Sequence, residues 1–194
     1  MHDWRPLHEF WFGKIEDTPT YAEGRFPLWW RKDPVLDAKC RDEFGPLLGV
    51  FDAGELEPWK EEPTGWATLV VLLDQIPRNS FRGTPKSFQW DPHALNQALE
   101  LIETGTDRKL HPFERSFAYL PLEHSESLDM QKLSVEMFTR LAAEHPHFEE
   151  MKDYAHRHYD VIAKYGRFPH RNSILKREST PEEKVYLAQP GAGF

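Results

Sequence analysis

Side chains that could bind or transform a ligand are concentrated in two similar loops. The first has the sequence PRNS at 77–80 and the second has PHRNS at 169–173. Each loop is followed by a further arginine and by a Thr-Pro pair that is typical of a new helix start. Guanidinium groups and the free N–H groups of a helix start both suit phosphate or carboxylate. The two loops are therefore candidate anion-binding elements.

A structural interpretation accounts for the same arginines. Their guanidinium groups could bond the carbonyl groups left open at helix ends and pair with Asp74 or Glu126. In that case the loops tie helices together and bind nothing else. The two interpretations are compatible, and the sequence leaves both open.

Histidines supply the second set of candidate groups. His124 and Glu126 lie at the entry of a predicted helix, and His158 lies on the apolar stripe of another. A single inward histidine is usually a core residue with one hydrogen bond, whereas several beside a carboxylate form an acid–base group or a metal site. The pairs at 145/147 and 156/158 are spaced by two, which puts them on opposite sides of a helix. We therefore predict no metal site and no cofactor.

These groups define a candidate polar pocket whose ligand would be a small anion, phosphorylated or carboxylated. If the pocket is catalytic, arginines hold the anion while a histidine oriented by a carboxylate, Glu126 or Asp74, moves a proton. Whether the protein is an enzyme stays open. The candidate catalytic residues are His124, Glu126 and His158. The candidate ligand-binding residues are Asp74, Arg78, Asn79, Arg82, Arg167, His170, Arg171 and Asn172.

Two rival functions use the same residues without chemistry. The first is a tetratricopeptide-like interaction module that binds an acidic peptide or a partner protein. The second is a purely structural polar core. A closed cavity favours the small molecule, whereas an open groove along helix faces favours the peptide.

The element that must position these groups is the apolar run from Leu69 to Leu73, the most apolar stretch of the chain. Such a run predicts a helix buried on nearly all sides, over about 65–76. We expect it to end there because Pro77 disfavours helical geometry in the residue before it. No stretch shows sustained period-two alternation. The chain is therefore predicted to be all-α, a single-domain antiparallel helical array packed around this central helix.

The ends of the chain are predicted to be less regular. Residues 1–33 form an N-terminal docking segment, with a short helix or turn at 4–12 and a loop at 13–33. Asp33-Pro34 and the capping box at 180–183 are predicted helix starts. Residues 189–194 form a Pro/Gly tail.

Overall composition limits the classes of partner. The chain has 194 residues, one cysteine and a net charge of −8, so we expect no nucleic-acid binding, no membrane binding and a cytoplasmic location. Segments 75–88 and 164–177 nevertheless carry three and five basic residues and no acidic one. These two basic segments contain the two candidate loops.

Several motifs together resemble a bacterial family called domain of unknown function 924, from about Phe10 to Phe194. They are LLDQIPRNSFRGT, PLEHSESLDMQ, YGRFPHRNSILKREST and the closing PGAGF. The resemblance implies an all-helical, tetratricopeptide-like fold, brings no activity, and suggests that Phe194 docks on the body. The chain departs from the family pattern at Ile76, at Lys176 and at Glu123, where an apolar residue is common.

Overall fold

The computed structural model describes residues 2–16 and 19–193, and the regular secondary structure of these residues is helical. This confirms the all-α prediction. The α-helices are α1 (Arg5–Trp11), α2 (Pro19–Trp30), α3 (Pro34–Lys39), α4 (Pro46–Asp52), α5 (Pro63–Ser80), α6 (Asp91–Glu103), α7 (Pro112–Glu123), α8 (Leu128–Glu144), α9 (Glu149–Tyr165) and α10 (Pro181–Leu187). A π-helical turn spans Cys40–Phe44, and short 3₁₀ turns join several of the helices.

Contacts between the helices divide the chain into two compact units. The first comprises residues up to Arg82 together with Lys86–Pro121, and the second comprises Gly83–Pro85 and the chain from Leu122 onward. The single-domain organisation and the tetratricopeptide-like pairing expected from the sequence stay predictions. Within the described ranges, no helix is long and apolar enough to cross a bilayer.

The predicted central helix is the core of the first unit. Every residue of α5 from Gly65 to Pro77 is buried, and the helix packs against α1, α3 and α6. Trp66 and Val70 share one apolar cluster with Leu101 of α6. A helix segment enclosed in this way needs no polar face, which is why the run from Leu69 to Leu73 is apolar throughout.

The predicted end of this helix near Ile76 is wrong, because α5 continues through Pro77 to Ser80. Arg78 lies in this last turn, and its guanidinium binds the carboxylate of Asp91 at the start of α6, which anchors the turn. Tertiary ion pairing thus outweighs the local preference of the residue before a proline. The first PRNS motif is therefore the last turn of a helix.

The prediction of a loop over 13–33 is also wrong, since α2 occupies Pro19–Trp30. Its Tyr21 hydroxyl donates to the carbonyl of Phe12 at 2.9 Å, and Trp29 Nε1 donates to the carbonyl of Trp11 at 3.0 Å. The Trp29 ring also packs on Phe117 of α7, with centroids 5.0 Å apart. These aromatic contacts stabilise a segment whose glycine and prolines predict a loop.

The second unit is built on α8 and α9, which run antiparallel and pack along their lengths. Gly166 ends α9 in the left-handed conformation at φ 68°, as its position predicts. Thr180 and Glu183 form the predicted capping box at the start of α10. The basic loop between α9 and α10 carries most of the candidate site residues of this unit.

Candidate functional site

In the first unit, Asp74 and Arg78 lie in the last turns of α5. Asp74 is 1% exposed, and its carboxylate receives a hydrogen bond from Gln75 and an ion pair from Arg78 at 3.2 Å. The Arg78 guanidinium also makes two hydrogen bonds to the carboxylate of Asp91, at 2.7 and 2.9 Å. The pairing with Asp74 is the one that the structural interpretation expected.

Arg82 and Asn79 form the next polar group of the same unit. The Arg82 guanidinium makes two hydrogen bonds of 2.8 Å to the carboxylate of Asp37 in α3, and a third to the side-chain oxygen of Asn79. The Asn79 amide in turn points at the sulfur of buried Cys40. The first group of candidate residues therefore ties α5 to α3 and α6.

In the second unit, His158, His170 and Arg171 lie around the ring of Phe168, and His124 lies beside His158. The ring centroids of His158 and His170 lie 5.6 and 5.5 Å from that of Phe168, and those of His124 and His158 lie 6.5 Å apart. The Arg171 guanidinium lies 4.6 Å from the Phe168 ring centroid and donates to the carbonyl of His124 at 2.9 Å. We call these residues the histidine–arginine cluster.

The orientation of His158 follows from two acceptors at one ring nitrogen. Its Nδ1 lies 2.8 Å from the carbonyl oxygen of Tyr154 and 3.2 Å from Oε1 of Glu123. Because a carbonyl oxygen only accepts, Nδ1 carries the proton and Nε2 is the basic nitrogen. The carbonyl of Tyr154 therefore fixes the tautomer, and Glu123 places a carboxyl group beside the same ring nitrogen, as in histidines used for acid–base catalysis.

Burial keeps two of these histidines neutral at physiological pH. It lowers the pKa of His158 to about 3, opposed by the hydrogen bond to Tyr154 and reinforced by the neighbouring His124, His170 and Arg171. Burial and Arg171 together lower the pKa of His170 to about 4. Arg171 therefore supplies the positive charge of the cluster, while the histidines supply hydrogen-bonding nitrogens.

Glu126, proposed above to orient a histidine, has a different role. Its carboxylate accepts two hydrogen bonds from Arg177, at 2.7 and 2.9 Å, and one from the backbone N–H of Phe168 at 2.8 Å. Burial alone would raise the pKa of Glu126, but these hydrogen bonds outweigh it and hold the pKa below its usual value. The residue that approaches His158 is Glu123.

Arg167 and Asn172 belong to a network centred on Glu183, which is 2% exposed. The Glu183 carboxylate accepts two hydrogen bonds from Arg167, at 2.7 and 2.8 Å, one from Asn172 and one from the backbone N–H of Thr180. The hydrogen bonds from Arg167 are the largest cause of the lowered pKa of Glu183, which is about 2. This network braces the loop between α9 and α10.

The outer side of the same loop forms an open cleft with a volume of about 460 Å³. Its lining residues are Ser173, Arg177, Glu178, Ser179 and Lys184.

The C-terminal tail contacts the histidine–arginine cluster. Gly193 lies so close to His170 that a Cβ added to the glycine would be 2.8 Å from the Cβ of His170. The predicted docking of Phe194 concerns a residue outside the described ones.

The structure thus brings together His124, His158, His170 and Arg171 within one unit, and it places Asp74, Arg78, Asn79 and Arg82 in the other. Sequence reasoning missed Glu123 as the partner of His158, whereas the pairing of Glu126 with a loop arginine, Arg177, is one that the structural interpretation expected. Both carboxylates stand in the PLEHSE motif, so their nearness to His124 was the available signal. Among residues 2–16 and 19–193, no three His, Cys, Asp or Glu side chains are placed to hold a metal ion.

Comparisons with known proteins identify relatives without assigning an activity. A family model described as a bacterial protein of unknown function, DUF924, matches residues 7–191. A solved structure of a protein of unknown function from Agrobacterium tumefaciens is 33% identical, with a TM-score of 0.83 over 95% of this chain and 96% of that one. No curated protein matches the sequence.

Proposed function

Because the chain belongs to a family of bacterial proteins of unknown function, DUF924, its activity has to be inferred from its own side chains, and we propose that it binds a small anionic compound. The binding site is the histidine–arginine cluster of the second unit. The compound carries a phosphate or carboxylate group. The observation that carries the proposal is the packing of two imidazoles and one guanidinium around the ring of Phe168, with the imidazole of His124 6.5 Å from that of His158.

The burial of the cluster supports a site that is open on one side. His158 and Arg171 are each 7% exposed, whereas His124 and His170 are only partly buried. The cluster therefore has a buried floor and an accessible rim. An anion that meets the rim histidines first comes under the field of the buried guanidinium, where low dielectric strengthens the attraction.

The neutral state of the histidines supports the same class of ligand. A bound anion stabilises the imidazolium form, so it raises the pKa of a nearby histidine. Binding is then accompanied by proton uptake. The affinity for the anion rises as the pH falls, because more of the bound form carries the extra proton.

The same geometry supports proton transfer as the step beyond binding. The carbonyl of Tyr154 holds the proton on Nδ1 of His158, with Glu123 3.2 Å from the same nitrogen, so Nε2 is the basic nitrogen. A bound anion would bring the pKa of His158 up from about 3 toward the range in which imidazole exchanges protons. His158 is thus our candidate general base, with Glu123 as the residue that orients it.

The test is a titration with sulfate, which stays a dianion across the pH range used. Sulfate binding is followed at pH 5 and pH 7.5 through the imidazole NMR signals and by thermal shift. We expect tighter binding at the lower pH, with shifts in the signals of His124 and His170. Arg171→Gln should weaken binding by about tenfold or more, the loss expected for a charge-assisted bond in a buried site.

Arg157→Gln is the matched control, since Arg157 is an exposed arginine one position before His158 in α9. If Arg171→Gln fails to fold, His170→Asn tests the same site at a partly exposed position, and it should reduce the pH dependence. Equal sulfate affinity in Arg171→Gln and Arg157→Gln contradicts the proposal. Binding of acidic peptides but of no small anion favours the interaction module instead.

A further inference from the structure

We infer that the cleft beside α10 is a second binding site, for a small phosphorylated compound that also carries an ammonium group. The cleft lies within the second unit and is lined by Ser173, Arg177, Glu178, Ser179 and Lys184. Its volume of about 460 Å³ lies in the range of small-molecule sites in proteins. None of these five side chains belongs to the histidine–arginine cluster.

The wall of the cleft is held rigid by the loop behind it. Asn172, 1% exposed, donates to the Ser179 hydroxyl at 3.0 Å and accepts from Nε of Arg177 at 3.0 Å. Arg177 is held on its other side by the carboxylate of Glu126. Side chains fixed before a ligand arrives lose little conformational entropy on binding. Two of the lining groups are thus already positioned.

The donors of the cleft fit a phosphate group. The Ser179 hydroxyl accepts its bond from Asn172, which leaves its own hydrogen available for a ligand. Ser173 adds a second exposed hydroxyl, and Lys184 adds an exposed ammonium group. Two hydroxyls and two cations line one opening, Lys184 and the Arg177 that Glu126 holds, and these donors match the several acceptor oxygens of a phosphate.

Glu178 determines which group the ligand carries besides its phosphate. Its carboxylate lines the same cleft, and a carboxylate repels a simple anion. A compound with an ammonium group near its phosphate turns this repulsion into attraction, because the ammonium group can pair with Glu178 while the phosphate pairs with Lys184. One acidic and one basic side chain in the lining of the same opening therefore select a zwitterion over a plain phosphate ester.

Two probes that differ only in the ammonium group test this selection. They are O-phosphoethanolamine and ethyl phosphate, titrated into the full chain and followed by the backbone amide NMR signals of Ser173 and Ser179. We expect phosphoethanolamine to bind about tenfold more tightly than ethyl phosphate. Glu178→Gln should remove that difference. Lys184→Met should weaken the binding of both probes by about tenfold. Lys164→Met, which changes an exposed lysine of α9, should change the binding of neither.

Each variant changes an exposed side chain, so folding is not at risk. Equal affinities of the two probes in the unmodified chain overturn the inference, as does a Lys184→Met variant that binds like Lys164→Met. Absence of amide shifts at millimolar probe overturns it as well. The imidazole signals of the cluster are read in the same spectra, so loss of anion binding there is distinguished from loss of binding in the cleft.

Discussion

Glu123 and His158 meet in the second unit, with 3.2 Å between Oε1 of the carboxylate and Nδ1 of the ring. The two residues are buried, at 5% and 7% exposure. Burial keeps the ring of His158 neutral, and the contact of its Nδ1 with the carbonyl of Tyr154 fixes its orientation. The effect of this environment on the free energy of unfolding can be measured without knowing the ligand. The same holds for the Arg78 ion pairs, for the ion pair between Glu126 and Arg177, and for the packing around two glycines.

Replacing His158 should reduce the acid sensitivity of the fold. The pKa of His158 is about 3 in the folded chain and near 6.5 when unfolded, so between these values the unfolded state binds the extra proton. The unfolding free energy therefore falls as the pH falls through this window, by up to about 1.4 kcal/mol per pH unit for one histidine. In His158→Gln that contribution should vanish, as measured by urea unfolding from pH 6 to pH 4.5.

The control for this measurement is His156→Gln, an exposed histidine in the same helix. It should keep the pH slope of the unmodified chain. A His158→Gln variant with an unchanged slope would show that the ring is not kept neutral by the fold.

Removing the Arg78 guanidinium should strongly destabilise the first unit. The side chain is 17% exposed and is paired with Asp74 and Asp91, of which Asp74 is 1% exposed. Arg78→Met leaves both carboxylates without this cation, a change that costs about 3–5 kcal/mol for a buried pair. Chemical denaturation measures the loss, and a loss below that of Lys14→Met, an exposed lysine, would refute the assignment.

The ion pair between Glu126 and Arg177 should contribute moderately to the second unit. The side chains are 28% and 24% exposed, and two hydrogen bonds join them. We expect Arg177→Met to cost about 1–3 kcal/mol, the range for hydrogen bonds to charged groups. Arg140→Met, which removes an exposed partner of Glu136 in α8, should cost less than about 1 kcal/mol in the same unfolding assay.

Two glycine substitutions should have effects of opposite sign. A Cβ on Gly65 would lie 2.4 Å from the carbonyl oxygen of Trp59 and 2.9 Å from Nε1 of Trp4, so Gly65→Ala forces the start of α5 away from its neighbours. A Cβ on Gly49 in α4 would meet nothing within 4 Å. We expect Gly65→Ala to lose about 1–3 kcal/mol and Gly49→Ala to gain about 0.5–1 kcal/mol. Melting temperatures compare them directly, and a stabilised Gly65→Ala would contradict the packing described.

Sequence alone determined the helical class, the burial of α5, and the caps at Asp33 and Thr180. These features depend on helical periodicity, on apolar composition and on hydrogen bonds to the nearest turn, all of which are local. The same local patterns placed His124 and Arg171 among the candidate residues. They could not show that the Arg171 guanidinium reaches the carbonyl of His124.

Only the tertiary structure decided which carboxylate each cation pairs with, that residues 19–30 form the helix α2, and where α5 ends. Arg177 finds Glu126 at a distance of 51 positions in the chain, and Arg82 finds Asp37 at 45. No spacing rule predicts such pairs, because they depend on how helices far apart in the chain pack. Packing of the same kind makes α2 helical and carries α5 past Pro77, since contacts from distant residues outweigh the local conformational preference.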